Sequence, residues 1–250
     1  MSGHSKWAGI KHKKALVDAK RGKVFGKLGR AITVAAREGG GDPEHNATLA
    51  TAIQKAKDAN MPHDNIDRAV KKGAGAGSDA ETYMHLTYEG YGPAGVAVYL
   101  TVLTDNKNRT AADVRYAFDR SGGKLGTDGS VSWMFERKGV IFVDAAGKDE
   151  DEVMMAAIEA GAEDMLPEGD VFEIRCDPSQ FMAVRGGLDA AGIKYSSAEI
   201  TMIPKNTVAL DESEAKKTFR LIDALEDNDD IQEVYANFDI SDEVMEALEG

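Results

Sequence analysis

Residues 73–80 read GAGAGSDA, and at this stretch the hydrophobic pattern of the chain changes from helical to strand-like. Upstream, apolar residues recur every three to four positions, which is typical of helices packed on a core. Downstream, runs such as Val96–Thr104 (VAVYLTVLT) are rich in β-branched residues, which favour strands. Because glycine and other small residues are typical of flexible linkers, we predict a domain boundary at this stretch.

Three helices are predicted before the boundary. The first long helix ends at the run Glu38–Gly41, since three consecutive glycines stop a helix. The second helix follows Asp42, with Pro43 as its first residue, and stops near Asn60. The third runs from about residue 62 to 72, with Gly73 as its C-terminal cap. Three helices in some 72 residues predict a small bundle.

A helical wheel divides the first helix into three surfaces. The apolar arc, which we expect to pack on Ile53 and Val70, includes Val24, Phe25, Leu28 and Ile32. The basic stripe, nearly opposite, consists of Lys20, Lys23, Lys27, Arg30 and Arg37. A glycine strip of Gly22, Gly26 and Gly29 lies between them. Glycine weakens a helix by about 0.5 to 1 kcal/mol, so this strip predicts that a backbone or a phosphate approaches closely.

The charge distribution along the chain indicates a polyanion partner. Residues 1–37 hold ten of the 30 basic residues but one of the 43 acids, although the whole chain has a net charge of -13. A dense cluster of cations on an acidic protein is typical of nucleic-acid binding, because long polyanions release counterions when they bind it. Trp7 is predicted either to stack on a base or to anchor this segment in a core. The candidate nucleic-acid-binding residues are Lys6, Trp7, Lys11, His12, Lys13, Lys14, Lys20, Arg21, Lys23, Lys27 and Arg30.

A second basic region surrounds a predicted helix at residues 110–121. Its candidate residues are Lys107, Arg109 and Arg115. Acids such as Asp105 and Asp113 alternate with these cations, so local salt bridges are the simpler explanation and we treat the region as a minor site.

The chain beyond the linker is predicted to form two α/β domains. Residues 139–203 give the order βαββαβ, which is the ferredoxin-like arrangement. Flanking strands and helices on both sides would complete one further sheet. The predicted fold class is therefore α+β with three domains, the third inserted in the second. The predicted bounds are 1–78 for the basic helical domain, 79–134 plus 205–240 for the discontinuous α/β domain, and 135–204 for the inserted domain.

The sequence gives no positive sign of catalysis or of membrane insertion. Cys176 is the single cysteine, and the five histidines lack the spacing of a helical zinc site. The glycine-rich stretch lacks the lysine of a phosphate-binding loop, and the nucleophile motif GxSxG does not occur. No apolar run approaches the ~20 residues of a membrane span. We therefore expect a cytoplasmic protein that is not an enzyme and has no metal site, cofactor or membrane partner.

Four stretches of the chain resemble one known family. They are Gly3–Leu28, Leu86–Val98 (LTYEGYGPAGVAV), Thr104–Arg115 (TDNKNRTAADVR) and Gly126–Ile141 (GTDGSVSWMFERKGVI). They closely resemble the YebC/PmpR family, which includes mitochondrial translational activators. The resemblance implies three domains, with the last inserted in the second. It also implies a non-enzymatic regulator of gene expression, either a DNA-binding regulator of transcription or a translation factor linked to the ribosome.

The sequence leaves the physiological partner open. Ribosomal RNA, messenger RNA and DNA are all candidates, with the ribosome as a candidate assembly, and no pattern predicts an oligomeric state. The predicted helices are separated by a glycine-rich loop and a proline turn, so no helix-turn-helix is evident, which counts against specific major-groove reading. A protein-binding module whose acidic domains carry the function is a further alternative.

Overall fold

The computed structural model describes residues 18–75 and 82–249; the side chains of residues 18–21, 242 and 249 are not described. Three helices come first: α1 (Asp18–Gly39), α2 (Ala47–Asp58) and α3 (His63–Ala74). They enclose a core that includes fully buried Ile32 and Leu49. The predicted start of α2 at Pro43 is wrong, because Asn46 caps the helix: its side chain accepts from the Leu49 N–H and donates to the Ala35 carbonyl of α1.

The apolar arc of α1 lies against this core. Phe25, Leu28 and Ile32 pack there with Ile53 and Val70, as the helical wheel predicts. Val24 is half-buried and is not among the side chains that form this core in the described part of the chain.

Gly73 lies inside α3, which ends at Ala74. The predicted helix end at residue 72, with Gly73 as the C-terminal cap, is therefore wrong. Gly75 occupies the C-cap, and its N–H donates to the Lys71 carbonyl. A Cβ at Gly73 would lie 2.2 Å from the Thr33 carbonyl oxygen, so the glycine permits α3 to approach the backbone of α1. The close packing of α3 on α1 therefore explains why residue 73 is a glycine. The sequence pattern predicts instead that this glycine ends the helix. Residues 76–80 of the predicted linker lie outside the described residues.

The rest of the described chain combines strands and helices. In chain order these are β1 (Met84–Tyr91), β2 (Ala97–Thr104), α4 (Lys107–Arg120), β3 (Lys124–Leu125), β4 (Phe135–Asp144), α5 (Glu150–Glu159), β5 (Asp164–Glu168), β6 (Val171–Cys176), α6 (Phe181–Ala190), β7 (Ser197–Pro204), β8 (Val208–Ala209), α7 (Glu212–Glu226), β9 (Ile231–Ala236), β10 (Phe238–Asp239) and α8 (Asp242–Glu249).

Two antiparallel sheets organise these elements. The first has the strand order β3-β1-β2-β9, and its core includes Leu100, Phe118 and Leu221. The second has the order β5-β6-β4-β7, with α5 and α6 packed against it around Ile174 and Val184. This strand order and the βαββαβ succession make the second sheet ferredoxin-like. The α+β fold class predicted from the sequence is confirmed.

The pairing of β2 with β9 brings together two stretches that the whole second sheet separates in sequence. This pairing supports, as a proposal, the discontinuous domain of residues 79–134 plus 205–240 and the inserted domain of residues 135–204. A short parallel pair of β8 with β10 follows beside the first sheet. Helix α8, beyond residue 240, was not predicted; its Val244 and Leu248 pack on the core of that sheet.

The turn between β1 and β2 holds an unusual backbone conformation. Ala94 has φ +56°, in the left-handed region that favours glycine, and Gly95 follows with φ +79°. Within the described residues, no helix combines the length and the apolar character that crossing a membrane requires.

Candidate nucleic-acid interface

The structure describes part of the predicted site. Lys6, Trp7, Lys11, His12, Lys13 and Lys14 lie outside the described residues, so their role stays a prediction. Lys20 and Arg21 belong to the first turn of α1, but their side chains are not described. Lys23, Lys27 and Arg30 are described fully, and they share one environment.

These three cations lie against an acidic segment of the first α/β unit. The acidic segment is residues 223–230 (DALEDNDD), which has five acids and no base; it comprises the end of α7 and the turn into β9. Lys23 Nζ lies 2.9 Å from Asp227 Oδ1, and Lys27 Nζ donates to the Glu226 carbonyl at 2.6 Å. The C-terminal carbonyls of a helix carry partial negative charge, so the end of α7 attracts cations in the same way as its carboxylates.

Asp230 is the innermost carboxylate of this contact. Its side chain is 8% exposed, and its Oδ1 accepts from Arg30 Nη1 at 3.0 Å. Oδ2 accepts from Arg109 Nη2 at 2.7 Å and from the hydroxyls of Thr104 and Thr110 at 3.0 and 2.8 Å. One buried carboxylate therefore joins an arginine of the helical bundle to an arginine of the α/β unit.

The ion pairs shift the pKa values of their partners. Burial alone would raise the pKa of Asp230, but the hydrogen bonds from Arg109, Thr110 and Thr104 outweigh it and hold the pKa below its usual value. The hydrogen bond and the charge of Asp227 raise the pKa of Lys23. The Asp230 carboxylate and the Lys23 ammonium are therefore both charged at neutral pH.

In the second basic region, one of the three candidate residues forms ion pairs and the other two are exposed. Arg109 donates to Asp105 at 2.8 Å as well as to Asp230, so the local salt bridges expected from the sequence hold this residue. Lys107 and Arg115 are exposed on α4. The structure thus makes Arg109 part of the contact around Asp230.

Within the part of the chain that the structure describes, the glycine strip of α1 is open over most of its length. Apart from the adjacent residues and the helix's own backbone, no described atom lies within 4 Å of a Cβ placed at Gly22 or Gly26, and at Gly29 the Met61 methyl would lie at 3.7 Å. The expectation that a protein backbone approaches this strip is therefore not met by any described residue. Among the described residues, nothing covers the helix surface at Gly22 and Gly26, beside Lys23 and Lys27.

Helix α2 provides a second set of contacts between the bundle and the rest of the molecule. Lys55 pairs with Glu233 of β9. Asp58 accepts two bonds from the Arg185 guanidinium of α6, each at 3.2 Å. Arg185 is 11% exposed and also lies over the rings of Phe181 and Tyr195. The sequence did not predict these pairs, because their members are 127 or more residues apart and each looks like an ordinary surface charge.

The described residues offer little for catalysis. They contain no group of three histidine, cysteine or carboxylate side chains placed to hold a metal ion. Cys176 is buried, and burial raises the pKa of its thiol to about 11, so it is protonated at neutral pH and a poor nucleophile. The chemistry on this surface is that of charge recognition.

Comparisons with known proteins agree with this architecture. A family model described as the TACO1/YebC protein N-terminal domain matches residues 5–76, and one described as the TACO1/YebC second and third domain matches residues 83–238. Relatives named "Probable transcriptional regulatory protein" occur in Rubrobacter xylanophilus, 64% identical over all of both chains, and in Halothermothrix orenii, 58% identical over 99% of each. A crystal structure of a conserved hypothetical protein from Aquifex aeolicus is 50% identical and superposes with a TM-score of 0.82, covering 95% of this chain and 98% of that one. The chain therefore belongs to the TACO1/YebC family.

Proposed function

We propose that this protein is a non-enzymatic regulator of gene expression that binds a nucleic-acid backbone through residues 1–37. The observation that carries the proposal is the surface of α1, where the open positions Gly22 and Gly26 adjoin Lys23 and Lys27. A helix surface without side chains lets a phosphate backbone approach, and the neighbouring cations supply counterion release. The proposed phosphate contacts are Lys11, Lys13, Lys14, Lys20, Lys23, Lys27 and Arg30.

The finer proposal is that the polyanion is RNA in a ribosome-linked control of translation, in a cytoplasmic setting. The resemblance of the Gly3–Leu28 stretch to a family with translational activators supports it, and so does the lack of an evident helix-turn-helix in residues 1–72. The names of the bacterial relatives, "Probable transcriptional regulatory protein", favour a second candidate, a DNA-binding regulator of transcription.

Salt dependence of binding tests the phosphate contacts. If five or more cations engage the backbone, the affinity for a 20-nucleotide uridine RNA should fall with a log-log slope of roughly -0.7 per contact, and for duplex DNA of roughly -0.9 per contact. Single changes Lys11→Ala, Lys14→Ala and Lys20→Ala should each reduce the slope by about one contact. Lys194→Ala, an exposed lysine in the ferredoxin-like unit, is the control and should leave the slope unchanged. Equal slopes for all four variants would refute binding through residues 1–37.

Two further assays separate the candidates. Sedimentation with ribosomes in a sucrose gradient should recover the protein if it acts in translation, and the Lys11→Ala, Lys14→Ala double variant should be lost from the ribosome peak. A gel shift with promoter fragments should then show only salt-sensitive, sequence-independent binding. Sequence-specific shifts with no ribosome association would favour the transcriptional alternative.

A further inference from the structure

The basic stripe already has an anionic partner within the chain. Lys23, Lys27 and Arg30 contact the acidic segment through one carboxylate, one helix-terminal carbonyl and one buried carboxylate. Arg30 Nη1 also donates to the Asp229 carbonyl at 3.0 Å. These acceptors are oxygen atoms with full or partial negative charge, which is also what a phosphate backbone offers.

A phosphate and the acidic segment cannot both occupy these cations. Each lysine ammonium has its charge directed at one oxygen of the segment, and Asp229 adds a further attraction for Lys23. The Arg30 guanidinium is 26% exposed and has three protein acceptors, so a phosphate reaches it only after α1 moves away. Binding through the whole stripe therefore requires the bundle to separate from the acidic segment.

We propose that the acidic segment is an intramolecular competitor that holds the nucleic-acid surface of α1 in a closed arrangement, and that a polyanion displaces it. The closed arrangement is defined by the contacts of α1 with residues 223–230 together with those of α2 with Glu233 and Arg185. The proposal rests on the function proposed above, since it concerns regulation of the same surface. It gives a role to the acidic segment, which the proposed binding of nucleic acid does not by itself require.

The contacts between α1 and the acidic segment can be broken at low cost. Lys23 and Asp227 are 49% and 63% exposed, and exposed pairs of this kind contribute little to stability. Asp230 is buried and retains Arg109 and two threonine hydroxyls when Arg30 leaves. The Asp230 carboxylate of the α/β unit therefore stays paired after separation.

The first test removes the competitor's outer charges. Asp227→Asn with Asp229→Asn should tighten binding of a fluorescein-labelled 20-nucleotide uridine RNA about 3- to 10-fold, as expected for the loss of exposed pairs. The control, Asp151→Asn with Asp189→Asn, changes the net charge equally on exposed positions of the ferredoxin-like unit and should change affinity less than about 2-fold. Equal affinities in the two double variants would overturn the proposal.

The second test separates displacement from local repulsion. Arg185→Gln removes a cation far from the stripe, so simple electrostatics predicts weaker binding of the RNA. If α1 and α2 leave the rest of the molecule together, loss of the Arg185 contact with Asp58 should instead tighten binding about 2- to 5-fold, the value of a pair contributing about 0.5 to 1 kcal/mol. Lys194→Gln removes an exposed cation from the same unit and should not tighten binding. Weaker binding by both variants would contradict the closed arrangement.

A carbodiimide crosslink reports the contact directly in the unmodified chain. Carbodiimide joins an amine to a carboxylate in contact, so the Lys23–Asp227 crosslink should be detected by mass spectrometry in the free protein and vanish at saturating RNA. Its persistence at saturation would overturn the proposal. Failure of the proposed function looks different: neither the wild type nor the Asp227→Asn, Asp229→Asn variant would then bind RNA or duplex DNA at low salt.

Discussion

Asp230 is the buried carboxylate that joins Arg30 of the bundle to Arg109 of the α/β unit. Replacing it by asparagine removes the charge that Arg30 and Arg109 share and leaves two guanidinium groups around a neutral amide. Breaking a buried pair by removing one partner is strongly destabilising, so we expect Asp230→Asn to lower the free energy of unfolding by about 3 kcal/mol in urea denaturation. Asp119→Asn, an exposed acid on α4, should stay within about 0.5 kcal/mol of the wild type.

The same carboxylate predicts a pH dependence. Because the pKa of Asp230 is lowered in the folded protein, its contribution is fully present above the ordinary aspartate pKa of about 4 and is lost as the pH falls through the lower folded value. The difference in unfolding free energy between wild type and Asp230→Asn should therefore shrink below pH 4. A difference that stayed constant from pH 7 to pH 2.5 would show that the charge of Asp230 contributes nothing.

A substitution at Ala94 is expected to raise the free energy of unfolding, whereas Asp230→Asn lowers it. An alanine in the left-handed region carries a cost of about 1 to 2 kcal/mol, which glycine avoids. Glycine also gains entropy in the unfolded chain, worth about 0.5 to 1 kcal/mol, so Ala94→Gly should stabilise by up to about 1 kcal/mol. Ala146→Gly, at an exposed turn position with ordinary φ, should destabilise slightly. If both changes destabilise in urea titrations, the left-handed turn is not strained.

At the scale of elements, two helix glycines should respond oppositely to alanine. Gly26 faces open space among the described residues, so Gly26→Ala should stabilise α1 by about 0.5 to 1 kcal/mol. Gly73 touches the backbone of α1, and Gly73→Ala should destabilise by about 1 to 3 kcal/mol or more, since the Thr33 carbonyl cannot move as a side chain can. Both values can be measured by urea unfolding followed by circular dichroism.

Gly26 also links helix stability to binding. If a phosphate backbone approaches the strip, Gly26→Ala should weaken RNA binding while it stabilises the fold, because the added methyl group keeps the backbone away. Gly186→Ala provides the matched control: Gly186 is an exposed glycine of α6 with no described atom near its Cβ, so it should gain similar stability without a change in affinity. Unchanged binding by Gly26→Ala would remove the strip from the interface.

For the whole molecule, salt should act on two competing equilibria. Added salt weakens the contacts of the stripe with RNA, and it also weakens the exposed contacts of the stripe with the acidic segment. The apparent salt slope of the wild type should therefore be shallower than that of the Asp227→Asn, Asp229→Asn variant. Anisotropy titrations between about 50 and 300 mM salt measure both slopes. A wild-type slope equal to or steeper than that of the variant would mean that salt does not release an internal partner.

Local patterns predicted most of the fold. The period of three to four residues gave the bundle with Phe25, Leu28 and Ile32 facing the core, and the order of strands and helices gave the ferredoxin-like unit. Gly73 was misassigned, because a glycine that permits close packing and a glycine that ends a helix look alike in one sequence. Helix α8 was missed because its few apolar residues, such as Val244 and Leu248, make a short and weak pattern.

The sequence predicted the cations of the candidate site but not their partner within the chain. The wheel grouped Lys23, Lys27 and Arg30 on one surface, and they do share one environment. It could not indicate that the environment is a segment of the same chain about 200 residues away, since pairing over such a separation leaves no local period. The acidic run of residues 223–230 was the available signal, and among so many acids it looked ordinary.

The pairing of β2 with β9 has a consequence for the order in which the protein is made. During synthesis the chain emerges from its N-terminus at about 5 to 20 residues per second, so roughly 130 residues and some 6 to 26 s separate the completion of β2 from that of β9. The acidic segment emerges just before β9. During that interval the residues of the first three helices have been made, while their internal anionic partner has not. A newly made chain therefore passes through a period in which Lys23, Lys27 and Arg30 have no acidic segment to pair with.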